Sequence, residues 1–419
     1  MDRYPYSQLW GICRREKIMW QSEKKSSLLK RKLAFTAIIA LVYIMGRCIP
    51  LYGVDFSAYA GRRADVQALL VQTISGDVHR CSLFALGISP YMMGSILVQM
   101  FFACRRIWSK TKVSPKRMNR AILILTLLLA VLQAFFQSQS LLLEVPEPML
   151  FSARMICGLE MVTGAMLIVW LVGRNKRYGF GKQTILIYIN ILDGMASTLG
   201  GHGIRELAFP LVFAAELVFI MLIMEGAEFR IPVQRISIHN IYADKNYLAV
   251  KLNPVGVMPI MFSTAFFMLP QLMVQGLFYL FPGSERIAWW HENLMLTRPL
   301  GIVIYIAVIY LLTISFALLF ISPGDITEQL MKGGDSILNL HAGRDTKRYL
   351  VGRVCRISLF GATVMSVCMG LPMFLQFYRG WDQGLMMFPA SAMILTGIWY
   401  SLYQEYLAVR SYDCYRPFI

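Results

Sequence analysis

Gly87-Ile88-Ser89-Pro90-Tyr91-Met92 and Gly256-Val257-Met258-Pro259-Ile260-Met261 share one pattern, G-x-x-P-x-M, and each lies near the start of an apolar stretch long enough to cross a bilayer. Working outward from the pair, ten such stretches run along the 419 residues. They fall at about Leu33–Leu51, Leu83–Cys104, Ala121–Leu143, Phe151–Gly173, Gln183–Gly200, Leu207–Met224, Val255–Phe281, Leu300–Ser322, Val354–Phe377 and Leu385–Val409. The echo sits in the second stretch of each set of five. Five is odd, so the two halves enter the membrane in opposite senses, an arrangement that places a pathway at the midplane between repeats. Two helices that merely share a proline kink are the other reading of the same echo. The expected fold is an all-α polytopic membrane protein with about ten transmembrane helices in two inverted five-helix halves.

Composition agrees. Hydrophobic residues make up 57% of the chain and charged ones 16%, against roughly 25% charged in soluble domains. Ten spans consume about 200 residues and leave room only for short loops. The net charge of +17 would suggest nucleic acid in a soluble protein. Here, with both termini on one side, 31 of the 41 Lys and Arg fall in the segments that share that side, which makes it the cytosol. Trp289, Trp290 and Trp381 fall in loops of the opposite side, where indoles commonly sit at the lipid–water boundary. The charge thus orients the protein, and no nucleic-acid partner is expected. The polar, basic N-terminal segment lacks the short apolar core and cleavage site of a signal peptide, which predicts a chain kept whole in the plasma membrane.

Enzymatic chemistry is missing from the pattern. No G-x-x-x-x-G-K-[ST] occurs, the five histidines are scattered, and the eight cysteines lie far apart without C-x-x-C spacing. No cofactor or metal is expected, and the small thiols read as apolar filling. Carboxylates within or at the ends of spans are few: Glu160, Asp193, Glu216, Glu225 and Glu405. Intramembrane acids are costly and mark a cavity, a pair or a relay, so Asp193 and Glu160 are the coupling acids of an alternative reading as a small-solute transporter. Gln99, Gln133, Gln271 and Gln275 can hydrogen-bond between helices. One segment fits no span. Asp65–Gly76 places Val66, Leu69, Leu70, Thr73 and Ile74 on one helical face but is too short to cross, so it lies flat at the interface or folds back into a cavity.

Several phrases together resemble the SecY protein-conducting channel family. They are Phe84-Ala85-Leu86-Gly87-Ile88-Ser89-Pro90-Tyr91, Val162-Thr163-Gly164, Phe229-Arg230-Ile231-Pro232-Val233-Gln234, Val250-Lys251-Leu252-Asn253-Pro254-Val255-Gly256-Val257-Met258-Pro259 and Asp345-Thr346-Lys347-Arg348-Tyr349-Leu350. The resemblance runs in order from about Lys32 to Leu407. It implies an hourglass channel in which 65–76 is the plug. A constriction of bulky side chains is implied at Ile88, Met92, Tyr188, Leu192, Met261 and Ile394. Apolar collars wet poorly, so a narrow one resists ions yet can yield around an extended polypeptide. A lateral gate between the second and third spans and the seventh and eighth is implied too, with Gln99, Gln133 and Gln271 as polar contacts across it.

The implied partners are an exported polypeptide, a SecE-like small subunit, other accessory Sec proteins and a SecA-type ATPase. The motor would dock on cytosolic loops bearing Arg230, Arg235, His341, Arg344, Lys347 and Arg348. Departures from the family pattern bear on that motor. His341-Ala342-Gly343 stands where an arginine and Pro-Gly are usual, Ser237-Ile238 replaces a basic pair, and Arg47 follows three residues after an Ile44 where arginine is general. Such divergence is most like the accessory SecY of Gram-positive bacteria, which exports serine-rich repeat glycoprotein adhesins with its own SecA; the housekeeping channel is the alternative. The expected division is a basic segment at 1–32, a first half at 33–206, a second half at 207–409 with cytosolic loops at 227–254 and 323–353, and a tail at 410–419.

Overall fold

A computed structural model describes residues 29–54, 82–109, 114–139, 141, 143, 145–201, 203–235, 247–281, 283–296, 298–337, 340–341, 343–379 and 383–411. The segment 65–76 read as a plug lies outside them, as does Trp381.

The first half comprises α1 (residues 29–47), α2 (Ser89–Ser109), α3 (Pro115–Gln139), α4 (Leu150–Tyr178) and α5 (Thr184–Gly201). The second comprises α6 (Ile204–Gly226), α7 (Met258–Leu280), α9 (Pro299–Ile321), α11 (Arg344–Arg379) and α12 (Gln383–Ser411). Two shorter helices lie between spans, α8 (Glu285–Asn293) and α10 (Pro323–Gly333). Six of the ten long helices are long and apolar enough to cross a membrane on length and composition alone. Their outer faces carry exposed Ile124, Leu159, Val212 and Val303, a surface suited to lipid tails.

The two G-x-x-P-x-M copies turn out to be one helix-start device used twice. Gly87 has φ 55° and Gly256 φ 68°, left-handed values that a Cβ would oppose. The helices then begin at Ser89 and Met258, so Pro90 and Pro259 are each the second helical residue. At that position a missing N–H breaks no helical hydrogen bond and the fixed φ suits the helix. A shared kink is therefore not what the echo encodes; the interior prolines are Pro210, Pro270, Pro372 and Pro389. Residues 83–88, expected within the second span, form turns instead. They run against Gly164 of α4, where a Cβ would collide with the Leu83 carbonyl.

A feature absent from the sequence reading is a three-stranded antiparallel sheet. β1 (Glu228–Arg235) is central, flanked by β2 (Tyr247–Lys251) and β3 (Asp335–Ile337). Register pairs Ile231 with Leu248 and Val233 with Ile337. Ile231, Val250 and Ile337 bury with Leu350 of α11 in a small core of their own. The two loops expected to receive a motor are thereby one folded unit.

Candidate functional site

Where the halves meet, the chain buries its largest apolar cluster. Ile88 and Met92 of the first half and Met261 and Ile394 of the second all belong to it, at 0, 0, 3 and 1% exposure. The G-x-x-P turn explains the first pair: it starts α2 just before Met92 and leaves Ile88 in the turn itself. The same turn starts α7 three residues before Met261. On α5 the cluster takes in Ile187 and Ile191, both at 0%. Tyr188 packs against it half-buried, and Leu192 stands 41% exposed outside it. A one-residue offset on a helix turns a side chain by about 100°. In the run Ile185-Leu186-Ile187-Tyr188-Ile189-Asn190-Ile191-Leu192 nearly every position is bulky and apolar.

The seam between α2 and α3 on one side and α7 on the other is drawn in sulfur and aromatic contacts. The Ser89 hydroxyl donates to the Met268 sulfur at 3.6 Å. Gly276 of α7 leaves room for Phe136 of α3, whose ring would lie 2.9 Å from an added Cβ. Two of the three glutamines expected to span this seam, Gln133 and Gln271, bond within their own halves. Gln133 donates to Met93 at 3.3 Å within the first half, and Gln271 donates to the Leu294 carbonyl at 3.1 Å within the second. Gln99 is half-buried on α2, and Gln275 is exposed.

Both carboxylates considered for ion coupling have structural partners. Asp193 Oδ2 lies 2.7 Å from Arg47 Nη2, tying α5 to the end of α1. One turn along the same seam, the Tyr43 hydroxyl donates to Asn190 Oδ1 at 2.9 Å. Glu160 accepts the Tyr52 backbone N–H at 3.0 Å, pinning the chain after α1 to α4. Glu216 stands on the exposed face of α6. The displaced arginine noticed in the sequence, Arg47 rather than residue 44, thus finds its acid on α5.

The sheet presents cations that are mostly held in place. Arg230 lies with its guanidinium 4.6 Å from the Tyr247 ring, and the backbone of Arg235 pairs with Asp335. Arg344, Lys347 and Arg348 are exposed along the first turns of α11. The Thr346 hydroxyl donates to the carbonyl of exposed His341 at 2.8 Å, fixing the approach to that helix. Lys332 of α10 bonds Glu328 at 2.8 Å, which holds its ammonium above the usual lysine range. At the end of β2, Lys251 donates to Gln404 of α12 at 2.8 Å and lies 5.3 Å from the Tyr400 ring. One helix therefore connects the sheet to Ile394. Among the described residues no three His, Cys, Asp or Glu side chains converge as a metal site would require.

Two inverted five-helix halves that close on each other through aliphatic and methionine side chains define a polytopic membrane channel. The SecY family model matches residues 82–403, and the chain belongs to the SecY family. The accessory Sec system protein translocase subunit SecY2 of Leuconostoc gelidum subsp. gasicomitatum is 30% identical, over 83% of this chain and 86% of its own. The protein of that name from Streptococcus sanguinis is 28% identical, over 93% of this chain and 98% of its own. Among solved structures, a protein-conducting channel superposes with a TM-score of 0.65 at 14% identity, covering 91% of this chain and 93% of the other. A SecY structure described for its plug domain gives 0.62 at 15%, covering 91% and 92%. These structural likenesses establish the fold.

Proposed function

We propose that this chain is the protein-conducting subunit of an accessory Sec translocase in a bacterial plasma membrane, exporting serine-rich repeat glycoprotein adhesins. The observation that supports the reading is the buried apolar cluster to which both halves contribute, with Ile88, Met92, Ile187 and Ile191 from one and Met261 and Ile394 from the other, and which is read as the closed collar. A dry collar excludes ions at rest, and unbranched, adaptable methionine suits a seal that must re-form around different side chains. The 65–76 segment, lying next to this collar in sequence, serves as the plug. The seam at Ser89, Met268, Phe136 and Gly276 serves as the lateral gate, with Gln99, Gln133 and Gln271 near it as hydrogen-bonding groups. Both termini are cytosolic, in keeping with the basic residues gathered on that side. No active-site chemistry is required of the channel, because the work comes from a SecA-type ATPase.

That motor docks on the sheet, where the two loops 227–254 and 323–353 are joined as one surface. Arg230, Arg235, His341, Arg344, Lys347 and Arg348 line the docking face, so part of the attraction is electrostatic. A SecE-like subunit and accessory Sec proteins complete the complex. The names of the relatives described above, together with the departures at Ser237-Ile238 and His341-Ala342-Gly343, favour a dedicated motor over the housekeeping one. Detergent-solubilised channel is expected to retain an ATPase, with Arg230→Glu or Arg344→Glu weakening retention by on the order of tenfold. Deleting the gene is expected to remove one or a few wall glycoproteins from the secreted set while growth stays normal. Lethality, or a general secretion failure, would contradict the accessory assignment.

A further inference from the structure

The connection from α7 to α9 is short enough to hold α8 at the membrane boundary. Between Leu280, where one span ends, and Pro299, where the next begins, α8 occupies Glu285–Asn293. This is the end of α7 opposite the sheet, since β2 precedes that helix and α8 follows it. None of the residues of α8 is buried, yet the helix is firmly mounted. His291 stacks on Phe278 of α7 with ring centroids 5.0 Å apart and 19° between the planes. Gln271 of α7 donates at 3.1 Å to the carbonyl of Leu294, the residue that closes α8. Leu294 and Leu296 then enter the main apolar cluster. Gly301 of α9 lets the chain between them run close, because a Cβ there would collide with the Met295 carbonyl.

The exposed side of α8 carries two indoles. Trp289 and Trp290 are 50 and 47% exposed and meet edge to face at 5.4 Å. On the same helix Glu285, Arg286 and Glu292 are exposed, charges of both signs. An apolar stripe leads to this place along α7. Met273, Leu277 and Phe281 recur every fourth residue, which puts them on one face, and all three are exposed. The surface suited to lipid tails thus continues up to the start of α8. What α8 holds is a separable part of α7. Pro270 lies inside that helix, where its missing N–H removes one hydrogen bond and its ring strains the preceding turn. Beyond it sit Gly276, which receives Phe136 of α3, and both residues tied to the α8 region, Gln271 and Phe278.

We propose that α8 is an anchor in the outer leaflet: its indole pair sits at the headgroup–acyl boundary, and its ties to Gln271 and Phe278 hold the outer half of α7 in the seam. Indoles favour that depth because the ring leaves water while the N–H keeps a polar partner. A helix with an apolar and a charged side lies in the plane of the interface. Charges of both signs call for no particular headgroup, so the anchor works equally in zwitterionic and anionic lipid. The lipid contact stands on this geometry alone, while the effect on the seam rests on the reading of α7 as a gate helix.

The test places the full chain in phosphatidylcholine nanodiscs whose acyl chains carry bromine either near the headgroup or near the methyl end. Emission of Trp289→Phe/Trp290→Phe is subtracted from that of the wild type, which isolates the two indoles while keeping a ring at each position. The shallow bromines are expected to quench most of this difference emission, the deep ones and aqueous iodide much less, and added phosphatidylglycerol is expected to leave the pattern unchanged. Quenching by iodide without quenching by lipid would overturn the anchor and mean a face open to water, as a docking site for a soluble partner would be. Quenching chiefly by the deep bromines would overturn it too. In vesicles, Trp289→Ser/Trp290→Ser is expected to raise resting ion leak several-fold over the wild type. Trp170→Ser/Trp399→Ser, which removes two exposed indoles elsewhere, is expected to leave it near the wild-type level. An unchanged leak, or the same rise in both variants, would overturn the hold on α7. Should the first serine pair not fold, Phe278→Leu, which unstacks His291 without touching either indole, is read in its place with the same expected rise. Quenching is measured whether or not the chain conducts a polypeptide, so failure of the anchor and failure of the channel reading are told apart.

Discussion

Asp193→Leu is expected to be among the most damaging single changes in the membrane-embedded part of the protein, although Asp193 itself is 45% exposed. Its partner decides the cost. Arg47 is 8% exposed, and removing the carboxylate 2.7 Å away takes a close charge partner from a buried guanidinium. Breaking a buried pair from one side costs about 3–5 kcal/mol, with the lower end apt here because one partner reaches solvent. A several-fold fall in folded channel recovered from membranes is the expected outcome. Asp193→Asn, which keeps a hydrogen-bond acceptor, is expected to fall between that and the wild type. The double variant Arg47→Leu/Asp193→Leu removes both charges and is expected to recover most of the folded protein, and to export. A small-solute transporter using Asp193 as its coupling acid predicts otherwise: Asp193→Asn abolishes activity and the double variant does not restore it. Recovery of export in the double variant therefore separates the two readings.

Met261→Ser/Ile394→Ser addresses the seal. Both residues are among the least exposed in the chain, and both belong to the cluster formed where the halves close. Hydroxyl side chains are smaller and wet readily, so the collar should fill with water. In reconstituted vesicles, ion leakage is expected to rise on the order of tenfold or more over the wild type. Replacing the exposed neighbour Leu192 by serine is expected to change leakage little, because that side chain projects outside the cluster. If Leu192→Ser leaks as much as the double variant, α5 meets the pore through a different face from the one assigned.

Much of the architecture was legible because membrane spans announce themselves by length and apolarity, which survive any uncertainty about packing. All ten apolar stretches became long helices. The G-x-x-P-x-M echo was legible as a pattern but ambiguous in meaning, since a proline near the start of a helix and a kinking proline look alike until the backbone of Gly87 and Gly256 is seen. On α5 the aliphatic residues at 185, 186, 187, 189, 191 and 192 leave no single apolar face in the sequence, so Tyr188 and Leu192 rested on the resemblance alone. The sheet was missed for a different reason. Alternation does exist in Phe229-Arg230-Ile231-Pro232-Val233, but β1 finds its third strand about a hundred residues later, in a three-residue segment with no signal of its own. The Arg47–Asp193 pair needed two residues whose separation in sequence says nothing about their contact. The partners of Gln133 and Gln271 were not legible either: in this structure each amide bonds within its own half, to Met93 and to the Leu294 carbonyl.

The central claim is that a polypeptide passes between the halves through this collar. It is tested most directly by a photocrosslinking residue at Met261, challenged with a stalled export substrate in intact membranes, and by the same probe at Val303, which is 58% exposed on the outside of α9. The account predicts an adduct with substrate at Met261 and none at Val303. Normal export without an adduct at Met261, or equal adducts at both positions, would contradict it.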